Sequence, residues 1–196
     1  MKLKRLFDYD DYKGEAFYLK TQSKYEIVRT VLYFAISISL FVAGIVATGD
    51  KMNLLTIVAI LGCLPACKSA VTMIMFLRYK GCSKEDVERL SVLEKCEKCL
   101  KVFDLVFTTY DKNYEFAHGT ICGNTVALYS TMSKLDEQAC LKHLQNTLAL
   151  DGIKNVTIKI FTDLDKYIQR TSQMQELEED RELSLNVAKT LLSVSL

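Results

Sequence analysis

Residues 31–47 read VLYFAISISLFVAGIVA and residues 54–77 read LLTIVAILGCLPACKSAVTMIMFL, with the polar turn Gly49-Asp50-Lys51 between them. The first run carries no charge, and the second carries only Lys68. At about 1.5 Å of rise per residue, the second run would extend roughly 36 Å as a helix, more than the ~30 Å hydrocarbon core of a bilayer. Helices apolar on every side need either a large surrounding protein core or lipid, and the rest of this chain is too short to enclose two of them. The expectation is a transmembrane hairpin with spans at about 25–48 and 53–79.

A turn this short makes the two helices antiparallel neighbours. Small residues recur every fourth position: Ala35, Ser39, Ala43 and Ala47 in the first run, and Gly62, Ala66 and Ala70 in the second. Such stripes let backbones approach closely and are expected to form the helix contact. Pro65 removes one backbone donor from the second helix. Lys68 either lines a polar site in the membrane or extends its ammonium to the headgroups. Its depth, similar to that of Arg29, favours the second reading. Arg29, Lys68, Arg78 and Lys80 are therefore the expected membrane-interface residues.

Orientation follows from the basic residues. Lys2, Lys4, Arg5, Lys13, Lys20, Lys24 and Arg29 precede or open the first span, Lys51 stands alone in the turn, and Arg78, Lys80 and Lys84 follow the second span. That bias places both termini in the cytoplasm of a two-span protein of the cell membrane. Seven cysteines without a disulfide-like spacing agree with a reducing compartment. Residues 1–24 are charged and aromatic and lack the apolar stretch of a signal peptide. This cytoplasmic arm can lie on the anionic leaflet or pack on the soluble part.

Composition narrows the function classes. The chain has 196 residues, 49% of them hydrophobic, and a net charge of +1. Mean hydropathy is only +0.10, so the apolar residues are concentrated in the two runs. With neither a basic excess nor a basic patch interleaved with aromatics, no nucleic-acid partner is expected.

After Gly81 the pattern changes. Ser83 opens a helix expected to reach residue 101, with Glu85 and Asp86 in its first turn. Residues 103–110, 114–122 and 125–129 are rich in β-branched and aromatic residues, and Asp111-Lys112-Asn113 and Gly123-Asn124 mark turns. Ser133 is expected to cap a helix over 134–150, stopped by Asp151-Gly152. Residues 155–161, NVTIKIF, alternate as a strand. The remainder, from Lys166, is helical and reads as one helix or two. The fold class is a membrane-anchored α+β protein. A two-helix transmembrane hairpin (25–80) is followed by a cytoplasmic α-β-β-β-α-β-α domain (81–196) with a mostly antiparallel sheet.

That order of elements is similar to restriction-endonuclease-like domains, including membrane-attached relatives of nucleases. The resemblance implies an acid near the second strand and an acid–x–lysine triplet in the third, to hold a divalent cation. Here the third strand reads TVALY and has neither acid nor lysine, which leaves Asp104, Asp111 and Glu115 as nearby acids without a triplet. Cys96 and Cys99 form the one C-x-x-C, and Cys82, His118 and Cys122 are the other conceivable zinc ligands. The pair falls late in a predicted helix, where two residues three apart share a core-facing side, and no metal or other cofactor is expected. His118 or His143 beside Cys122 or Cys140 could form a Cys–His pair, though no spacing demands it. Phosphate-loop, dinucleotide, HExxH and GxSxG signatures are missing from the sequence.

The expected function is non-enzymatic: an anchored cytoplasmic α/β domain that binds a protein partner or a second copy of itself. Two alternatives stand beside it. One is a membrane-bound enzyme whose Cys, His and acidic residues are assembled by the fold, a degenerate nuclease being one version. The other is a small oligomeric transport or channel subunit that uses Lys68.

Overall fold

The computed structural model describes residues 4–95, 98–109, 112–132, 134–176 and 180–196. It divides into two units: Leu19–Lys80 with the residues up to Asp11, and Gly81–Leu196 with Tyr12–Tyr18. The residues of the N-terminal arm are divided between the two units.

A short helix α1 (Lys4–Phe7) and a 3₁₀ turn (Asp10–Tyr12) precede two long apolar helices, α2 (Tyr18–Thr48) and α3 (Leu54–Arg78). Helix α2 starts well before the predicted residue 25. Gly49, at φ +70°, takes the left-handed conformation that reverses the chain after α2. The Asn53 side chain caps α3 by accepting from the Thr56 amide at 2.9 Å. Helix α3 continues unbroken through Pro65.

The two helices touch at three levels. Gly44 meets Leu55, Ser37 meets Gly62, and Thr30 meets Ser69, whose hydroxyls lie 2.8 Å apart. The steps are seven residues on both helices, the period of a left-handed antiparallel seam. Leu19, Gln22, Glu26, Thr30 and Ser37 are buried along α2, and Ala59, Ala66, Ser69 and Phe76 along α3.

This revises the expected stripe. Ala35, Ser39, Ala43 and Ala47 are exposed, and the Ser39 hydroxyl folds back onto its own helix to the Ala35 carbonyl. In α3, Ala66 is buried, while Gly62 and Ala70 are half-buried. A strict four-residue repeat rotates by about 40° per step around an α-helix, so it leaves any one face within three steps. A seven-residue repeat drifts by only about 20° and stays on the seam. Outside the seam the surface is oily: Val31, Ile36, Ile38, Ile60 and Leu64 are all at least half exposed.

The second unit comprises α4 (Lys84–Leu90), β1 (Leu100–Thr108), β2 (Asn113–Cys122), β3 (Thr125–Tyr129), α5 (Glu137–Leu150), β4 (Thr157–Phe161), α6 (Leu164–Met174) and α7 (Arg181–Val194). The strands form one sheet in the order β1-β2-β3-β4. The first two pairings are antiparallel, but β3 and β4 run parallel, so the sheet is mixed and not mostly antiparallel. The cause is α5, which carries the chain back to the starting end of β3 before β4 begins. One face packs Leu144 and Leu148 of α5 and Val187 and Leu191 of α7. The other packs Leu90 and Leu93 with Leu164, Tyr167 and Met174 of α6. A sheet covered on both faces explains why every residue of β3 is buried.

Boundaries shift for local reasons. The predicted helix over 83–101 ends at Leu90 and continues as a 3₁₀ turn over Ser91–Lys95. Leu100 belongs instead to β1, paired with Ile121. Helix α5 begins at Glu137 with Asp136 as its cap, accepting from the Ala139 amide at 3.2 Å. The predicted cap Ser133 and the turn residue Asp111 lie outside the described residues. The C-terminal region is two helices, α6 and α7.

The seam predicts an asymmetry between neighbouring positions. A Cβ at Gly62 would sit 2.9 Å from the Ser37 hydroxyl. In detergent, Gly62→Leu is expected to lower hairpin stability by about 1–3 kcal/mol through overpacking. Ser39→Leu is expected to leave it within about 0.5 kcal/mol, as exposed positions do. Thermal melts of both variants check this, and a larger loss in Ser39→Leu would refute the seven-residue register.

Candidate functional site

Two polar clusters stand out, one in each unit. In the α/β unit the cluster lies between the sheet and α6. The Tyr167 hydroxyl is 2.6 Å from His118 Nδ1 and 2.7 Å from the Thr120 hydroxyl. Phe103 packs against the His118 ring, centroid to centroid 4.4 Å, and Tyr129 and Phe161 enclose Tyr167. All three polar members are essentially inaccessible. Burial, with Lys101 as a secondary cause, pushes the His118 imidazole down to about 3, so it is neutral at any physiological pH. A neutral ring bonded to a phenol and sealed by aromatics is a satisfied core group, without an approach for substrate.

A second arrangement uses the acids singled out in the sequence. Asp104 is buried in β1 with φ +53°, a left-handed conformation that a non-glycine residue seldom takes. It accepts from the Cys82 amide at 2.6 Å, while Glu115 accepts from the Gly81 amide at 2.8 Å. The two carboxylates thus secure the backbone that leads into α4. The side-chain alternation reverses at Asp104. Phe103 joins the cluster on the α6 side, whereas Leu105 joins the cluster on the α5 and α7 side.

Of the weak metal candidates, Cys99 and Cys122 belong to the hydrophobic cluster on the α6 side. Cys99 and Cys122 are buried, the Cys122 thiol donates to the Met174 carbonyl at 3.4 Å, and His118 is bonded to Tyr167. Cys96 lies outside the described residues. Among the described residues no three His, Cys, Asp or Glu side chains gather as ligands. Cys140 is fully buried, and that burial pushes its thiol up to about 12, far from a nucleophile's range.

The other cluster lies in the hairpin and brings together two of the four predicted interface residues. Glu26, with no exposure, pairs with Arg29 and accepts from Gln22 at 3.0 Å; Gln22 accepts from Arg5 at 3.2 Å. Arg29 also donates to the Leu6 carbonyl at 3.3 Å and to the Ser69 hydroxyl at 3.4 Å. The Tyr9 ring stands 6.0 Å from the guanidinium. Beside this network is a surface cleft of about 400 Å³, lined by Tyr9, Arg29, Tyr33, Lys68, Ser69 and Thr72 among others. Arg78 and Lys80 are exposed at the end of α3 and beyond it and do not line the cleft. Gln22, Glu26, Thr30 and Ser69 escaped the sequence reading. Their signal was present: all four sit in the three- and four-residue phase of the buried seam, where polar residues need partners.

Comparison of the chain with protein-family profiles, with characterised proteins and with solved structures found no match. The chemistry therefore rests on the residues themselves.

Two outcomes follow. Between pH 6.5 and about 3 the unfolded chain takes up a proton on His118 that the folded chain refuses. Its contribution lowers stability as pH falls through that window, by up to about 1.4 kcal/mol per pH unit, and is absent above it. Denaturation of wild type and His118→Gln across that range is expected to show the smaller slope in the variant; equal slopes would contradict a neutral buried ring. Asp104→Ala removes the acceptor of the buried Cys82 amide and is expected to cost about 1–3 kcal/mol, with Asp104→Asn costing less. Chemical denaturation of the two variants tests that order.

Proposed function

We propose that the chain is an integral membrane protein whose α2–α3 hairpin anchors a cytoplasmic α/β domain that binds a protein partner or a second copy of itself. The observation that carries this reading is the surface of the hairpin. Only 17% of the apolar window in each long helix is buried, whereas a core helix of a water-soluble protein buries most of its apolar residues. The exposed remainder, which includes Val31, Ile38, Ile60 and Leu64, is an apolar surface of the kind that marks a protein or membrane contact. The internal pairing of Arg5, Gln22, Glu26 and Arg29 supports it further, because polar groups at membrane depth need partners within the protein.

The non-enzymatic part of the reading rests on how the α/β unit uses its reactive groups. His118, Asp104, Cys122 and Cys140 are each buried within the fold, and β3 carries no acid or lysine for nuclease chemistry. What the domain offers outward is surface, suited to recognition.

Two experiments bear on the proposal. A reporter active only outside the cytoplasm is expected to be active when inserted at the Asp50-Lys51 turn and silent when fused after Leu196; the reverse pattern would overturn the orientation. Crosslinking of the full chain in native membranes is expected to give a discrete higher-mass species carrying a partner or a second copy. A chain that stays uncrosslinked and monomeric would refute the binding role.

A further inference from the structure

The cleft beside Arg29 has the chemistry of a phosphate site placed on an oily surface. Among the described residues its charged lining is Arg29 and Lys68, with no carboxylate. The charge of Arg29 is already answered by Glu26. Lys68 is different: it is exposed, and among the described residues its ammonium has neither an acidic nor a hydrogen-bonding partner. It is also the one charge in the 24 residues of the second apolar run. A lysine kept without a counter-charge one turn from exposed Leu64, on a helix whose exposed residues are mostly apolar, is costly in hydrocarbon unless an anion comes to it.

Hydroxyl groups complete the lining. The Ser69 hydroxyl accepts from Arg29 at 3.4 Å, the Thr72 hydroxyl donates to the Lys68 carbonyl one turn back at 3.1 Å, and Tyr33 brings a phenol. The cleft thus sets one uncompensated cation, Lys68, beside the internally paired Arg29 and the Tyr33 phenol, and a lysine recognises phosphate as a point charge. The two helices that line the cleft are apolar along most of their exposed length. A ligand that satisfies both features has a negatively charged phosphate headgroup and a hydrocarbon tail.

We propose that this cleft binds the headgroup of an acidic phospholipid, with Lys68 as the residue that neutralises its charge. The proposal rests on the membrane reading above. It replaces snorkelling towards water as the role of Lys68 with a bound lipid anion.

The test uses the purified full-length chain in a neutral detergent, titrated with phosphatidylglycerol, with phosphatidylcholine, or with inorganic phosphate. Binding is read by thermal shift and by lipid adducts in native mass spectrometry. Phosphatidylglycerol is expected to raise the melting temperature and give an adduct, while the other two have little effect. Lys68→Gln is expected to weaken phosphatidylglycerol binding about tenfold or more, Lys68→Arg to retain most of it, and Lys51→Gln, in the turn, to leave it unchanged. Equal protection by inorganic phosphate, equal binding of phosphatidylcholine, or undiminished binding in Lys68→Gln would each overturn the proposal. Among the described residues the Lys68 ammonium has no bonding partner, so its variants are expected to melt near wild type without lipid; a large loss there would overturn its assignment as a ligand-facing residue. A chain that needs no detergent at all would defeat the membrane reading itself, an outcome distinct from each of these.

Discussion

The hairpin presents two kinds of surface that cannot share one solvent. Its seam is narrow and made of small or polar residues, such as Ser37, Gly44, Gly62 and Ser69. Its outside is wide and made of Val, Ile, Leu and Phe. In water the outside would be the natural core and the seam a poor one, because few apolar atoms meet there. In lipid the preference inverts. Close backbone approach, interhelical hydroxyl pairs and internally matched charges then become the sources of cohesion. The Thr30–Ser69 hydrogen bond and the Arg29–Glu26 pair, both near the same end of the helices, fit that economy of contacts.

The α/β unit follows water's rules. Its sheet is sandwiched between α5 and α7 on one side and α4 and α6 on the other. The free edge of β1 is blunted from both directions along the chain. The Phe103 amide donates to the Gly14 carbonyl at 2.9 Å, and the tail adds an antiparallel bridge between Phe107 and Ser195 and a Leu196 amide bond to Val106 at 3.0 Å. Covering an edge this way removes a template for uncontrolled strand pairing. Polar groups inside this unit, His118 with Tyr167 and Asp104 with the Cys82 amide, are matched to partners, so their contribution is to hold one arrangement of sheet and helices.

Much of this was legible in the residues. The two apolar runs, the turn at Gly49, the cap at Ser83 and all four strands follow from periodicity and turn chemistry. Strand direction was read wrongly at the last pairing: short turns suggested a mostly antiparallel sheet, whereas α5 returns the chain so that β4 runs parallel to β3. Other features depend on contacts that one-dimensional spacing does not resolve. The stretch around Leu100 and Val102 fits helix or strand equally, and pairing with Ile121 and Gly119 decides it. The small-residue stripe misled because alanines are small wherever they lie, whereas only a seven-residue period stays on the seam. Lys68 and Arg29 were marked as residues of similar depth; that they line one cleft needed the register of α2 against α3.

The central claim, that lipid is the solvent of α2 and α3, meets its most direct test in alkaline carbonate extraction of membranes from cells producing the full chain. Stripping peripheral proteins while leaving bilayers intact, the treatment is expected to leave the chain in the membrane pellet until detergent is added. Quantitative release into the supernatant as a folded species without detergent would contradict the account.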